Sequence, residues 1–332
     1  MLHLTNGSSI IPLMHEADID GPMVPWDDVL HEGPVPAGLN IAAMRERRAQ
    51  FLATCGWGSY DEIERGLRAR DAALGNGAMT VSPPFDEVVL WFEHDLYDQL
   101  QVLQILDRLP LDGSPRVTAV PDDEYLGMLP AARFQGLYAA RRDVTSAQRL
   151  TARDAWSAFR SSDPRAIVDV LARVSDLRHL GPALQRHLEQ FPAMGNGLSR
   201  TERQALEVVS GGVTNVGEVY RGSNHAREPA VFMGDAAFLV HIDGLLRAPR
   251  PLLRRGGDLG LSADLSPRAN LRPQNLSLDD DVTLTDDGRR VLNGDLDRVR
   301  TCGINRWLGG VELTGNGPVW RWDSERQLVR VA

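Results

Sequence analysis

Apolar positions in residues 1–125 come either as short continuous runs or at three- and four-residue spacing, and each pattern predicts a different element. Residues 2–5 read as a short strand ended by Asn6-Gly7-Ser8-Ser9, with a helix following through Leu13 and Met14 to about Ala17. Met23-Val24-Pro25-Trp26 is a second strand candidate that runs into a loop over Asp27–Pro34. Residues 40–54 and 60–74 read as helices, with Ile41, Met44, Phe51 and Leu52 at mixed spacing. The clearest strand is Glu87–Phe92, a continuous apolar run with two β-branched residues, as in a parallel strand buried on both faces. Glu93-His94-Asp95 ends it, and a helix is expected from Leu96 to Leu109, with Leu96, Leu100, Leu103 and Leu106 on one side. Pro110 and Gly113-Ser114-Pro115 stop that helix, and Arg116–Val120 is the next strand. Strand, helix and strand at this spacing predict a right-handed βαβ unit. The expected fold class is therefore α/β, an open, mostly parallel Rossmann-like sheet.

Residues 126–195 read as a helical connector, broken at Asp163-Pro164 and Gly181-Pro182, with Phe191–Gly197 as a linker. From residue 196 to 332 the pattern changes. Ser199 and Glu202 form a capping box at the start of a helix. A short helix over Val216–Tyr220 and a longer one over Glu228–Leu246 follow. Pro251–Leu253 and Val282–Thr285 flank a Gly- and Pro-rich excursion and read as wing strands, Thr285 caps a further helix to Leu292, and short strands at Trp307–Leu313 and Val319–Trp322 close the chain. Three helices and a β-wing make a winged-helix-like C-terminal module. The expected division is an α/β domain at 1–125, a connector at 126–195 and a winged-helix-like domain at 196–332.

Composition narrows the chemistry. All 36 basic residues are arginine, which excludes a phosphate-loop lysine, a Schiff-base lysine and a lysine general base. Cys55 and Cys302 are the only cysteines, too few for a disulfide framework or a cysteine-built structural zinc site. Neither H-E-x-x-H, G-x-S-x-G nor G-x-G-x-x-G occurs. No apolar run approaches the roughly 20 residues of a membrane span, and the first residues lack a secretory signal, so a cytoplasmic address with no membrane partner is expected. Residues 1–125 hold 21 acidic residues and 8 arginines; the remainder holds 24 and 28. The acidic first domain repels a phosphate backbone, and the weakly basic remainder is a poor electrostatic footprint, which argues against nucleic acid as a partner.

The richest segment is Glu93-His94-Asp95-Leu96-Tyr97-Asp98-Gln99, at the C-terminal end of the predicted central strand, where open α/β sheets place ligands. Glu93, His94 and Asp95 are the candidate catalytic residues, as a general acid/base set or ligands of a divalent metal. The competing structural account makes Asp95 an N-cap and Asp98 its partner in the first turn; it leaves Glu93 and His94 unexplained. Asn6, Gly7 and Ser8 form a strand-to-helix turn able to face an anion or simply to cap the helix. Asp28 and Glu32 bring more carboxylates on the Asp27–Pro34 loop, and Arg45 is the cation nearest in sequence to balance them. Asn6, Gly7, Ser8, Asp28, Glu32, Arg45, Asp98 and Gln99 are thus the candidate substrate-binding residues, and Asn6, Asp28, Glu32, Glu93, His94 and Asp98 are expected to line one cleft. The tryptophan–arginine pairs near Trp307 and Trp320 read either as stacking platforms or as core.

Leu4–Ser9, Trp26–Val35 and Leu90–Leu100 together resemble the bacterial family designated domain of unknown function 1835, over roughly residues 1–125. Phe232-Met233-Gly234-Asp235 and Arg306-Trp307-Leu308-Gly309-Gly310 resemble the extension that often follows that domain. The family's usual motif is similar to N-G-D-S, and Ser8 stands in the place of the aspartate. The resemblance implies no particular reaction. The residues themselves favour an enzyme of the hydrolase or transferase class, binding a small polar or phosphorylated, nucleotide-like molecule, over a ligand-sensing regulator or adaptor built on the winged helix.

Overall fold

The computed structural model describes residues 1–75, 85–111, 114–121, 123–256 and 276–332. Gly113 of the predicted turn and most of the Gly- and Pro-rich excursion lie outside the described residues. The strands are β1 (Leu2–Thr5), β2 (Met23–Pro25), β3 (Gly33–Pro34), β4 (Glu87–Trp91), β5 (Arg116–Ala119) and β6 (Arg142–Asp143). Later in the chain come β7 (Leu253–Arg255), β8 (Val282–Leu284), β9 (Ile304–Gly309), β10 (Val311–Gly315), β11 (Trp320–Asp323) and β12 (Leu328–Val331).

A five-stranded sheet of order β2-β1-β4-β5-β6 organises the first half. β1 runs parallel to both β2 and β4, with Leu4 opposite Val24 and Leu90. β4 runs parallel to β5, Val88 opposite Val117, as the βαβ spacing predicts; only the edge strand β6 is antiparallel. The alternation of side chains explains the unbroken apolar run of β4. Val88 and Leu90 join the core that includes the Leu96–Arg108 and Ser146–Phe159 helices, while Val89 and Trp91 point the other way, against Ile10, Met14 and Phe134. All five residues of β4 are buried. On the second face one polar strand residue is accommodated by a specific bond: Trp91 Nε1 donates to His3 Nδ1 at 2.9 Å.

Strand order also fixes where a site can form. The chain lays β2 on one side of β1, then crosses back and lays β4 on the other. The β1–β4 boundary is therefore the topological switch point, where the loops leaving two neighbouring strands diverge and open a crevice.

Several elements differ from the sequence-based expectation. Within the predicted Asp27–Pro34 loop, Gly33 and Pro34 form β3, which pairs in parallel with β9 and makes a three-stranded sheet with β10. Gly33 allows this at φ +79, where a Cβ would fall 2.4 Å from the Phe51 ring. The predicted linker Phe191–Gly197 is a buried seam: Phe191 and Asn196 are buried, Met194 N–H donates to Trp322 O at 3.0 Å and Trp322 N–H to Pro192 O at 2.9 Å. Its Pro and Gly residues shape a tight path instead of a flexible one. The predicted Glu228–Leu246 helix starts only at Asp235, because Pro229 lacks the N–H to continue a helix and Gly234 is the N-cap. Gly181 and Pro182 sit in the first turn of the Leu180–Leu188 helix, a position that tolerates proline. Thr285 caps the Asp286–Leu292 helix by accepting from Gly288 N–H at 2.9 Å, and a Cβ on Gly288 would fall 2.2 Å from Leu252 O, which accounts for the T-x-x-G spacing. β7 and β8 pair antiparallel, Leu253 opposite Leu284. Among the described residues no helix is long and apolar enough to cross a membrane.

Candidate functional site

The ends of β1 and β4 stay together one residue beyond the strands, because Asn6 N–H donates to Trp91 O at 3.2 Å. The side chains that follow converge at once. Asn6 Nδ2 donates to Asp98 Oδ2 at 3.0 Å, and the Glu93 N–H donates to the same oxygen. Asp95 caps the Leu96–Arg108 helix, its Oδ1 accepting from Asp98 N–H at 3.1 Å. Glu93 Oε1 accepts from Leu126 N–H at 2.7 Å, and Gln99 Nε2 donates to Glu93 O at 2.7 Å. Asn6, Glu93, Asp95, Asp98 and Gln99 thus form one bonded set at the switch point. Asp95 takes the capping role expected of it, and the same geometry gives Asp98 and Glu93 partners of their own.

Three of these side chains are carboxyls, and all are buried: Glu93 is 6% exposed, Asp95 4% and Asp98 0%. Among the described residues no arginine forms an ion pair with any of them, and the acceptors are served by amide N–H groups. Ionised carboxylates are poorly solvated in such a place and repel one another. Burial, with the Glu93 charge adding, pushes Asp95 up to about 7. Burial together with Asp95 and Glu93 holds Asp98 well above the usual carboxylate range, and its Oδ1 has no hydrogen-bond partner among the described residues. Burial also raises Glu93, against the opposing pull of the Leu126 N–H. His94 is half-buried beside the set, its ring 4.8 Å from that of Tyr125 and 5.7 Å from that of His179.

A cavity of about 630 Å³, lined by none of these cluster residues, opens where the strand end at Pro25 meets Tyr97, the neighbour of Asp98 at the start of the helix after β4. Leu52, Trp57, Ile63 and Leu67 line one side, from the Ile41–Thr54 and Tyr60–Ala73 helices and the turn between them. Phe232, Gly234 and Ala237 close it from the C-terminal region. Its polar lining is Asp27, Asp28, His31 and Arg70. Asp28 is held by Arg48, whose Nη2 lies 2.8 Å from Asp28 Oδ1, and Arg70 Nη1 lies 3.5 Å from Asp28 Oδ2. Arg70 also sits over Trp26, its guanidinium carbon 4.5 Å from the ring centre. Burial pushes His31 down to about 4, so its ring is neutral at physiological pH, and its edge meets Phe232 at 5.0 Å.

The expected single cleft of six residues is not what the chain builds. Glu32 belongs to another group: its Oε1 receives Arg306 Nη2 at 2.7 Å and His241 Nε2 lies 2.9 Å from it, beside a separate cavity of about 370 Å³. Burial alone would raise its carboxyl, but Arg306 and His241 hold it well below the usual range. The pairing of β3 with β9 turns Glu32 towards the C-terminal region, which is why it leaves Asp28 four residues away. Arg45 does not balance the carboxyl cluster; it bonds Glu64 at 2.9 Å and Asp71 at 3.0 Å, because its face of the helix is turned to the Tyr60–Ala73 helix. Gly7 caps a short 3-10 turn with no side-chain hydrogen bond, and Ser8 is exposed. A Cβ on Gly7 would fall 3.2 Å from Asp27 Oδ1, so this turn packs closely on the cavity's rim.

Arg48, Arg70 and His241 are residues of the site region that sequence reasoning passed over, whereas His31, Tyr97, Phe232 and Arg306 fell in segments it singled out without being named as candidate site residues. Two carried a signal: Met44-Arg48-Leu52 and Leu67-Arg70-Leu74 place an arginine inside an apolar helical stripe, and both arginines are buried. Among the described residues no three His, Cys, Asp or Glu side chains gather as a metal site would require, so no step is assigned to a metal. No protein-family model matches the sequence, and no curated protein matches it.

Proposed function

We propose that the chain is an acid–base enzyme, of the hydrolase or transferase class, acting on a small molecule held at the C-terminal edge of the sheet. The observation that carries this reading is the convergence of Glu93, Asp95 and Asp98 at the β1–β4 switch point without a compensating arginine. Structural carboxylates are ordinarily paired; burial without a countercharge instead raises all three above the ordinary range, Asp95 to about 7, where a general acid and base are most effective. In this reading Asp98 keeps its proton on Oδ1, because Oδ2 already accepts from Asn6 and Glu93. Asp95, pushed up to about 7, gives and takes the working proton. The substrate lies in the adjoining cavity, whose volume is in the usual range for small-molecule sites.

The C-terminal region supports a winged-helix-like reading through element order. The Arg200–Ser210 helix, an isolated bridge at Asn215 to Asp281, the Val216–Tyr220 and Asp235–Leu246 helices, β7 and β8 follow one another as in that module. Its third helix faces inward, with His241 on Glu32 and Ala237 on the cavity, so we assign it to covering the site instead of reading DNA. The resemblance to the domain of unknown function 1835 family and a cytoplasmic address belong to the same proposal. A thermal-shift screen of small metabolites, with and without phosphate, tests it. A stabilising compound should be turned over by the wild type and not by Asp95→Asn, which keeps the helix cap; turnover retained in that variant removes the acid–base role.

A further inference from the structure

We propose that the cavity between Tyr97, Trp57 and Phe232 is a recognition site for an uncharged planar heterocycle of the nucleobase or nucleoside class, read by His31, Asp28 and Arg70. This deepens the reading above, and rests on it only for the location of the bound molecule.

The polar side chains of the lining carry the argument. His31 is 1% exposed, and neither ring nitrogen has a hydrogen-bond partner among the described residues. Such a group is costly to bury unpaired. Arg70 is also buried, and its Nε has no hydrogen-bond partner among the described residues, while its Nη1 and Asp28 Oδ2 face only each other, as an ion pair 3.5 Å apart that makes no hydrogen bond. A neutral imidazole offers one donor and one acceptor, the guanidinium adds donors and the carboxylate adds an acceptor. Donors and acceptors mixed within one wall complement the edge of a nucleobase, which carries both side by side. The remaining walls are aromatic or aliphatic, as a flat ring requires for stacking.

Charge selects against an anion. Arg70 lies 3.5 Å from Asp28 Oδ2 and 3.3 Å from Asp71 Oδ1, so its charge is already offset within the protein. Asp27 and Asp28 both line the cavity, and a phosphate or carboxylate seated there would face them. The site therefore takes the base, with any phosphate kept out of the cavity.

Calorimetric titration of the full chain with adenosine, guanosine, cytidine and uridine, and with benzoate and decanoate as anionic controls, decides the matter. One or more nucleosides should bind, and the two anions should not. His31→Phe keeps the ring and removes both nitrogens; it should weaken nucleoside binding at least ~10-fold, the loss of about one good hydrogen-bonded pair. Gly66→Leu is the second variant. Gly66 lines the cavity in mid-helix, and a Cβ there meets nothing within 4 Å, so the new side chain fills the ligand's space while the melting temperature stays level or rises. Asp95→Asn, which tests the acid–base reading, should leave nucleoside affinity within about twofold, since Asp95 is not among the lining residues. Absence of nucleoside binding in the wild type, preference for the anions, or binding indifferent to both His31→Phe and Gly66→Leu would overturn the proposal.

Discussion

Asn6 Nδ2 lies 3.0 Å from Asp98 Oδ2, so the end of the first strand and the helix after the fourth share a bond across 92 positions of sequence. That bond closes the switch point from one side, while the Glu93 N–H closes it from the other. Asn6→Ala leaves a buried carboxyl oxygen short of one donor. Urea unfolding should show a loss of about 1–3 kcal/mol, the usual cost of a buried polar group left short of a partner. An unchanged midpoint would mean that the two side chains are not bonded in solution.

The buried carboxyls give stability an unusual pH dependence. Asp95 titrates at about 7 in the folded chain, against an ordinary value of 3.8. Between those values the folded protein holds a proton that the unfolded chain has released, so this contribution is full below the lower value and is lost as pH rises through the upper one. Asp95→Asn retains the cap and removes the titration. From pH 4 to 7 the wild type should lose stability relative to this variant by roughly 3 kcal/mol. Parallel stability curves for the two proteins would refute the assignment.

Glu32 has the opposite sign. Arg306 and His241 hold its carboxyl below the ordinary range, so its contribution is present above that range and lost as pH falls through the depressed value. Glu32→Gln leaves the half-buried Arg306 guanidinium and the buried His241 ring without their carboxylate and should cost about 1–3 kcal/mol at pH 7, with less further loss on acidification than the wild type shows. Because Glu32 precedes β3 and its partners come from β9 and the Asp235–Leu246 helix, the variant should also loosen the C-terminal region from the sheet, read as faster amide exchange around His241. Unaltered exchange there would separate the ion pairs from that packing.

Much of this arrangement is legible along the chain, and the boundary has a physical cause. β1, β4, β5 and the helix between the last two follow from period and stop signals, which are local properties. Asn6, Glu93, Asp95 and Asp98 could be named because they directly follow strand ends that a parallel sheet must bring to one edge. The cavity could not be read, because Phe232 reaches His31 only through the packing of the C-terminal helices. Glu32 was misplaced for the same reason: β3 is two residues long and exists only through its pairing with β9. Arg48 and Arg70 stand between these cases, marked in sequence by an arginine on an apolar stripe but given partners only by the fold.

The inward face of the Asp235–Leu246 helix bears on nucleic acid. His241, Ile242 and Leu245 are buried, and the helix itself carries Asp235 and Asp243. A gel shift at low micromolar protein and physiological salt should show no binding to random duplex, because few cations are available to release counterions from the phosphates. A shift that weakens steeply with added salt would contradict the assignment of this helix to the site.

Carboxyl-carbon NMR on protein labelled at aspartate and glutamate addresses the central claim most directly, since the proposed chemistry requires protons held at the switch point at neutral pH. Between pH 4 and 9 the account predicts one aspartate carboxyl titrating near 7 and lost in Asp95→Asn, and a second, lost in Asp98→Asn, titrating well above the ordinary aspartate range. Complete ionisation of every aspartate and glutamate by about pH 5.5, in the range of ordinary carboxyls, would contradict it.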